Sequence, residues 1–218
     1  MTKELTKRVI TSVVLAAIVL NCLFINNHSW LVLLIVVSLI SWSEFFNLIK
    51  KIYKKIFSKL SLLILSFFVL FLFTYSAYKI RSDHGEIIIF FILLICIFSD
   101  IGGYVVGKSV GGKKLTKISP NKTISGSVGS FLFSLFPIGI YGLLFIITNN
   151  DIFRFALDNE VIIFCLILSL TCQIGDLIIS FFKRKAKVKD TGNILPGHGG
   201  ILDRIDGIIF AVIISYLY

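Results

Sequence analysis

The chain has 218 residues, 56% of them hydrophobic and only 16% charged, with a mean hydropathy of +0.94 and a formal net charge of +10. A soluble domain of this size is roughly 45–50% apolar and about 25% charged, and it has no core large enough to hide such an excess. Lipid must therefore serve as solvent for much of the chain, which excludes a secreted disulfide scaffold, a disordered tail and an ordinary cytosolic enzyme.

A bilayer core of roughly 30 Å needs about 20 apolar residues at 1.5 Å each. The apolar runs predict helices over 9–26, 30–49, 60–78, 86–106, 126–148, 160–182 and 205–218. The expected fold class is all-α, a polytopic membrane bundle of about seven transmembrane helices with a cytoplasmic N-terminus. The first run follows Lys3, Lys7 and Arg8, as a signal peptide's would, but it is long enough to span and no small-residue cleavage site follows it. It is expected to stay as an uncleaved helix. The last run, roughly 21 Å long at the helical rise, is short enough to be half-buried among its neighbours. Cys22, Cys96, Cys165 and Cys172 lie in apolar runs without a C-x-x-C and read as small core hydrophobes. His28 and His84 fall in breaks and read as solvated loop residues.

The cations sort by loop. Alternate breaks hold Lys3, Lys7 and Arg8, then Lys50 to Lys59, then Lys108 to Lys122, then Lys183 to Arg204, together nineteen of the 22 basic residues. The other breaks hold only Lys79, Arg81 and Arg154, with Asp83, Glu86, Asp151, Asp158 and Glu160. The positive-inside rule then puts the N-terminus and loops 107–125 and 183–204 in the cytoplasm. No repeat or linker appears, so 1–218 reads as one membrane domain, with N-terminal helices in 1–98 and a chemically richer half in 99–218.

Carboxylates within apolar runs cost a few kcal/mol each and are functional candidates by default. There are three: Glu44, Asp100 and Asp176. Ser169, Gln173, Asp176, Ser180 and Lys183 follow helical steps of three or four, as do Cys96, Asp100, Gly103 and Gly107, whose glycines permit close helix approach. Glu44, near a helix end and beside the lysines of 50–59, is expected to form an interfacial ion pair.

The stretch from Ser180 to Asp206, SFFKRKAKVKDTGNILPGHGGILDRID, carries the most chemistry. Its basic half suits a polyphosphate or an anionic headgroup. Its glycines would let backbone N–H groups approach phosphate oxygens, and the following helix N-terminus favours the same anion. Asp203 and Asp206 stand one turn apart there, and Mg²⁺ binds through one or two carboxylates plus substrate phosphates. Gly102 to Ser109, GGYVVGKS, satisfies the P-loop pattern, but a P-loop follows a strand and opens a helix, whereas this one lies deep in an apolar run.

Ser180 to Asp206 resembles the signature of the CDP-diacylglycerol synthase, or phosphatidate cytidylyltransferase, family: S-x-aliphatic-or-Phe-K-R, four residues, K-D-x-G, then P-x-H-G-G-x-x-D-R-x-D. Asp100 to Tyr104 with Gly107 and Lys108, Ser119 to Thr123, and Gln173 to Leu177 resemble further segments of that family. Two positions depart from it: Ser125 stands where an acid is usual, and Ile179 stands in place of a Glu before the signature serine. The chain is also shorter than many members, and missing helices are expected on the N-terminal side.

The resemblance implies transfer of CMP from CTP to phosphatidic acid, forming CDP-diacylglycerol and pyrophosphate in phospholipid synthesis. It implies Asp176 and Asp203 as ligands of Mg²⁺, with a second, monovalent cation as a further expectation. Lys183 and Arg204 are placed with them as catalytic. Lys122, Arg184 and Lys189 are expected to neutralise the phosphates, His198, Gly199 and Gly200 to shape the nucleotide loop, and Asp100 and Tyr104 to line the lipid entry. Ser119, Asp190 and Asp206 complete the expected substrate-binding set. The implied setting is the cell's inner membrane, crossed several times, with the site facing the cytoplasm, as a homodimer that binds lipid and no nucleic acid. A CDP-alcohol phosphotransferase would need further aspartates after Asp203-Arg-Ile-Asp206-Gly207, but 208–218 carries no charge. A transporter or lipid-binding protein would explain the carboxylates but not the glycine, His and Asp-Arg loop.

Overall fold

The structure, a computed structural model, describes residues 3–116, 119–157 and 159–218. Lys117 and Asp158, counted above among the charged loop residues, lie outside this set. Among these residues eight α-helices follow in order: α1 (Lys3–Ile25), α2 (Asn27–Ile52), α3 (Ile56–His84), α4 (Glu86–Val110), α5 (Ile124–Phe133), α6 (Phe136–Thr148), α7 (Asn159–Lys185) and α8 (Leu202–Leu217). A 3-10 turn, Asp151–Leu157, precedes α7. Among the described residues there is no strand, only two isolated β-bridges. The protein is an all-α polytopic membrane protein.

Each predicted helix occurs, with two corrections. The fifth run is divided into α5 and α6, because Pro137 lacks an N–H and its ring crowds the carbonyl four residues back. Among the described residues six stretches, not seven, are long and apolar enough to cross a membrane; Ile124–Thr148 counts as one of them. The sixteen residues of α8 rise only about 24 Å, less than a bilayer core.

The chain forms two compact units. The first joins Met1–Glu86 to Ile179–Asp206, and the second joins Ile87–Ile178 to Gly207–Tyr218. In the first, α2 packs along α3. Trp30 Nε1 donates to the Ala77 carbonyl at 3.2 Å, Ser38 and Thr74 share a hydroxyl contact at 2.8 Å, and Trp42 meets Phe67 edge-on at 6.0 Å. Buried Arg81 donates from Nε to the Leu23 carbonyl at 2.7 Å, satisfying one of the orphan acceptors at the end of α1.

In the second unit α4 and α5 meet through glycines. A Cβ on Gly126 would lie 2.7 Å from the Gly103 carbonyl and 3.3 Å from Gly107 Cα, so the backbones themselves are in contact. This is what the P-loop-like glycines do: Gly102 to Ser109 lie wholly within α4. Ser99 and Ser169 join α4 to α7 at 2.8 Å, and Ser127 donates to Gln173 Oε1 at 2.5 Å, so the polar stripe read on α7 ties helices together. Tyr141 is buried against Phe91 and donates to the Ile87 carbonyl at 3.0 Å. A side chain at Gly126 must separate α4 from α5. Gly126→Val is expected to destabilise the fold by about 2 kcal/mol, the cost of overpacking a tight contact, and thermal unfolding in detergent measures it.

Candidate anion-binding site

The last turn of α7 already contains Lys183, Arg184 and Lys185, so the expected 183–204 loop begins three residues later than the sequence indicates. Val188 N–H returns to the Lys183 carbonyl at 3.0 Å and Lys187 adopts a left-handed φ of 55°, turning the chain off the helix. Residues 186–201 then form a loop closed by a bridge between Leu195 and Gly199, and α8 starts at Leu202.

Glu44 of α2 organises this loop. Its side chain is buried, and its carboxylate accepts Ile201 N–H at 3.1 Å, Leu202 N–H at 2.9 Å and the Thr191 hydroxyl at 2.9 Å. The ion pair expected with the 50–59 lysines does not form. Ser41, Glu44, Phe45 and Leu48 share the buried face of α2, whereas Lys50 and Lys51 leave its exposed last turn. The positive end of α8, expected to attract a ligand anion, is therefore taken by a carboxylate of the protein itself.

Asp203 forms the second node. Its Oδ1 accepts from Lys183 Nζ at 2.7 Å, and its Oδ2 accepts Thr191 N–H at 2.7 Å, the Thr191 hydroxyl at 3.0 Å and Gly200 N–H at 3.0 Å. Burial alone would raise the Asp203 carboxyl, but Lys183 and these backbone donors together hold it below the ordinary carboxylate range. The N–H groups of His198 and Gly199 both return to the Leu195 carbonyl, at 2.9 and 3.2 Å. With Gly200 N–H on Asp203, the amides of 198–200 are engaged within the protein. Gly200 itself is required by packing, since a Cβ there would overlap Glu44 and Thr191, and Gly199 by its φ of +87°.

Beside the loop lies a cavity of about 600 Å³, lined among others by Arg8, Lys189, Asp190, His198, Gly199 and Arg204. Arg204 donates to the His198 carbonyl at 2.6 Å, holding the loop while remaining exposed. Arg184 is exposed as well. Asp206 follows Asp203 by three residues on α8, as the spacing indicated.

The remaining predicted residues belong to the second unit. The loop between α4 and α5 folds back through the Lys114–Thr123 bridge, Leu115 N–H reaching the Lys122 carbonyl at 2.8 Å and Lys122 N–H that of Ser119 at 3.0 Å. This presents Lys122 to Asp176, with which it forms an ion pair. Asp100 lies 3.9 Å from Cys172 Sγ. Tyr104 is 67% exposed with the Lys108 ammonium 5.6 Å from its ring centre. At the departing positions, Ser125 donates to the Gly111 carbonyl, and Ile179 is buried.

Asp176 and Asp203 offer the hard carboxylate oxygens that Mg²⁺ selects, and each has a lysine ammonium against it within its own unit. Among the described residues no group of three or more His, Cys, Asp or Glu side chains could hold a metal. Mg²⁺ bound at either carboxylate would thus draw its remaining ligands from water and substrate phosphate.

Two contributors escaped the sequence reading. Glu44 had a signal, being an intramembrane carboxylate, but its partner lies 147 residues or more away in the chain. Arg8 was read only as a topology determinant.

Long apolar helices, with a basic loop shaped by buried carboxylates beside a cation-lined cavity, define a polytopic membrane protein with a candidate anion-binding site. A sequence model described as the cytidylyltransferase family matches residues 52–218, and the chain belongs to that family. It is 43% identical over 136 residues to a phosphatidate cytidylyltransferase of Staphylococcus haemolyticus (strain JCSC1435), a match covering 62% of this chain and 49% of the relative. The figures are 40% over 138 residues, 63% and 48%, for the protein of that name from Bacillus subtilis (strain 168). For the one from Staphylococcus aureus (strain COL) they are 42% over 137 residues, 62% and 49%. The chain spans about half the length of the curated relatives it matches.

Removing the Glu44 carboxylate strands three donors. Glu44→Ala is expected to cost about 3 kcal/mol in thermal unfolding, while Glu44→Gln, whose amide oxygen still accepts, recovers part of it. Asp203 has its folded-state pKa lowered, so its contribution is complete above the unfolded-state value and is lost as pH falls through the folded-state value. The destabilisation caused by Asp203→Asn is therefore expected to be equal at pH 7 and pH 5 and to shrink only below about pH 4, as followed by unfolding at each pH.

Proposed function

We propose that this protein transfers CMP from CTP to phosphatidic acid, giving CDP-diacylglycerol and pyrophosphate, at the cytoplasmic face of the cell's inner membrane. The observation that carries this reading is the cation-lined cavity beside the 186–201 loop, which offers Arg8, Lys189 and Arg204 to an anion. Membership of the cytidylyltransferase family and the name shared by the relatives support the same chemistry. The excess of Lys and Arg in alternate loops supports the cytoplasmic orientation.

In this reaction a phosphate oxygen of phosphatidic acid attacks the α-phosphorus of CTP, and the bond from that phosphorus to the leaving pyrophosphate oxygen breaks. The attacking oxygen is already anionic, so no strong general base is required. Rate acceleration then rests on positioning and charge neutralisation. Lys189 and Arg204 hold phosphate oxygens, and the hydrogen bond from Arg204 to the His198 carbonyl keeps the loop in place around the nucleotide. Asp203 and Asp176, which Lys183 and Lys122 contact, would be the carboxylates that hold Mg²⁺. Mg²⁺ supplies charge neutralisation to the triphosphate when bound. A second, monovalent cation and a homodimer belong to the same proposal.

Purified protein given labelled CTP, phosphatidic acid and Mg²⁺ is expected to yield a labelled lipid, and chelation of divalent ions to stop its formation. Asp176→Asn and Asp203→Asn are each expected to lower turnover by about 100-fold or more in protein that still inserts. A near-normal rate in either variant would remove that residue from the metal assignment, and absence of lipid product from the wild type would remove the reaction.

A further inference from the structure

We infer that Arg8 is a phosphate-binding residue of this site, and that α1 is a wall of the site as well as a membrane helix. The inference rests on the function proposed above and adds a residue outside 52–218, the span matched by the family.

Arg8, Thr11 and Ser12 are spaced i, i+3, i+4 and so share one face of α1. All three meet the tip of the 195–199 turn. The Thr11 hydroxyl reaches the Pro196 carbonyl at 3.1 Å, and Ser12 Oγ lies 3.0 Å from His198 Nε2, fixing that ring. Arg8 lays its stem over Gly197, where a Cβ would come within 2.9 Å of Arg8 Cγ. Arg8 thereby lines the cavity.

Two of the cations nearby are already engaged. Lys183 is paired with Asp203 and Arg204 with the His198 carbonyl, whereas Arg8, like Lys189 in the same lining, makes no hydrogen bond or ion pair among the described residues. A guanidinium keeps its charge at any working pH and its planar fork matches two phosphate oxygens, which makes it the side chain of choice for a phosphate in a half-enclosed site. His198 adds a second sign of a missing partner: its Nδ1 is buried with nothing to bond.

An arginine at the end of a spanning helix can also simply reach the headgroups of surrounding lipid. That role leaves the affinity for substrates unchanged, and the two roles separate by kinetics. The test uses the full chain with Arg8→Met, which retains the stem over Gly197 and loses the fork, and Arg8→Lys, which retains the charge. KM for CTP is measured at saturating phosphatidic acid, KM for phosphatidic acid at saturating CTP, and Mg·CTP binding at equilibrium without lipid.

Arg8→Met is expected to raise one KM about tenfold, the effect of a lost charge-assisted hydrogen bond, and Arg8→Lys to recover only part of it. A rise for CTP, matched by weaker Mg·CTP binding, identifies the triphosphate as the ligand. A rise for phosphatidic acid alone identifies the lipid phosphate. Both constants unchanged in Arg8→Met would overturn the inference. Wild-type protein that neither binds Mg·CTP nor turns over would overturn the underlying function, a failure seen before any substitution is made.

Discussion

A carboxylate buried in an apolar bundle has to be met by donors, because an unpaired ion there costs several kcal/mol. Glu44 is such a group, and the signature loop is shaped by the need to satisfy it. The loop brings two backbone N–H groups from the start of α8 and the Thr191 hydroxyl to a single carboxylate. Gly192 and Gly200 are glycines because a Cβ at either would run into Glu44. Thr191 passes the constraint on, since it also binds Asp203, which in turn takes Lys183 from the end of α7. The signature loop is thus held by a helix that contains none of the signature residues.

The same accounting gives meaning to the net charge. Arg81 closes the end of α1, while Lys183 and Lys122 each neutralise a carboxylate. What remains facing the cavity is a smaller set, with Arg8, Lys189 and Arg204 among it. Charge is positioned for a ligand only after the charges needed to hold the loop have been paired within the protein.

Much was legible from the residues alone where the physics is local. Hydropathy over about 20 residues reflects a bilayer's thickness, so α1 to α4 and α7 appear near their expected places. The dismissal of GGYVVGKS as a P-loop rested on its apolar surroundings, and the segment is indeed helical. The division of the fifth helix at Pro137 is a local effect whose signal was present and went unused. Glu44 was different: its nearest charges in sequence were the wrong partners, because the helix turns Lys50 and Lys51 outward while Glu44 faces in. The glycines of 197–200 were read as making room for phosphate. In the fold, Gly197, Gly199 and Gly200 make room for Arg8, Asp190 and Glu44.

By itself the sequence determined that the chain lives in a membrane, where its helices run, and which residues are candidates for anion and metal chemistry, since each of these follows from side-chain type and short-range spacing. Only the tertiary structure decided how those residues are employed. Pairings such as Glu44 with Thr191, Ser12 with His198 and Arg8 over Gly197 join segments 147 to 189 positions apart. Neither helical period nor composition reaches across such separations. They are set by which faces pack together and by the requirement that each buried charge find a partner.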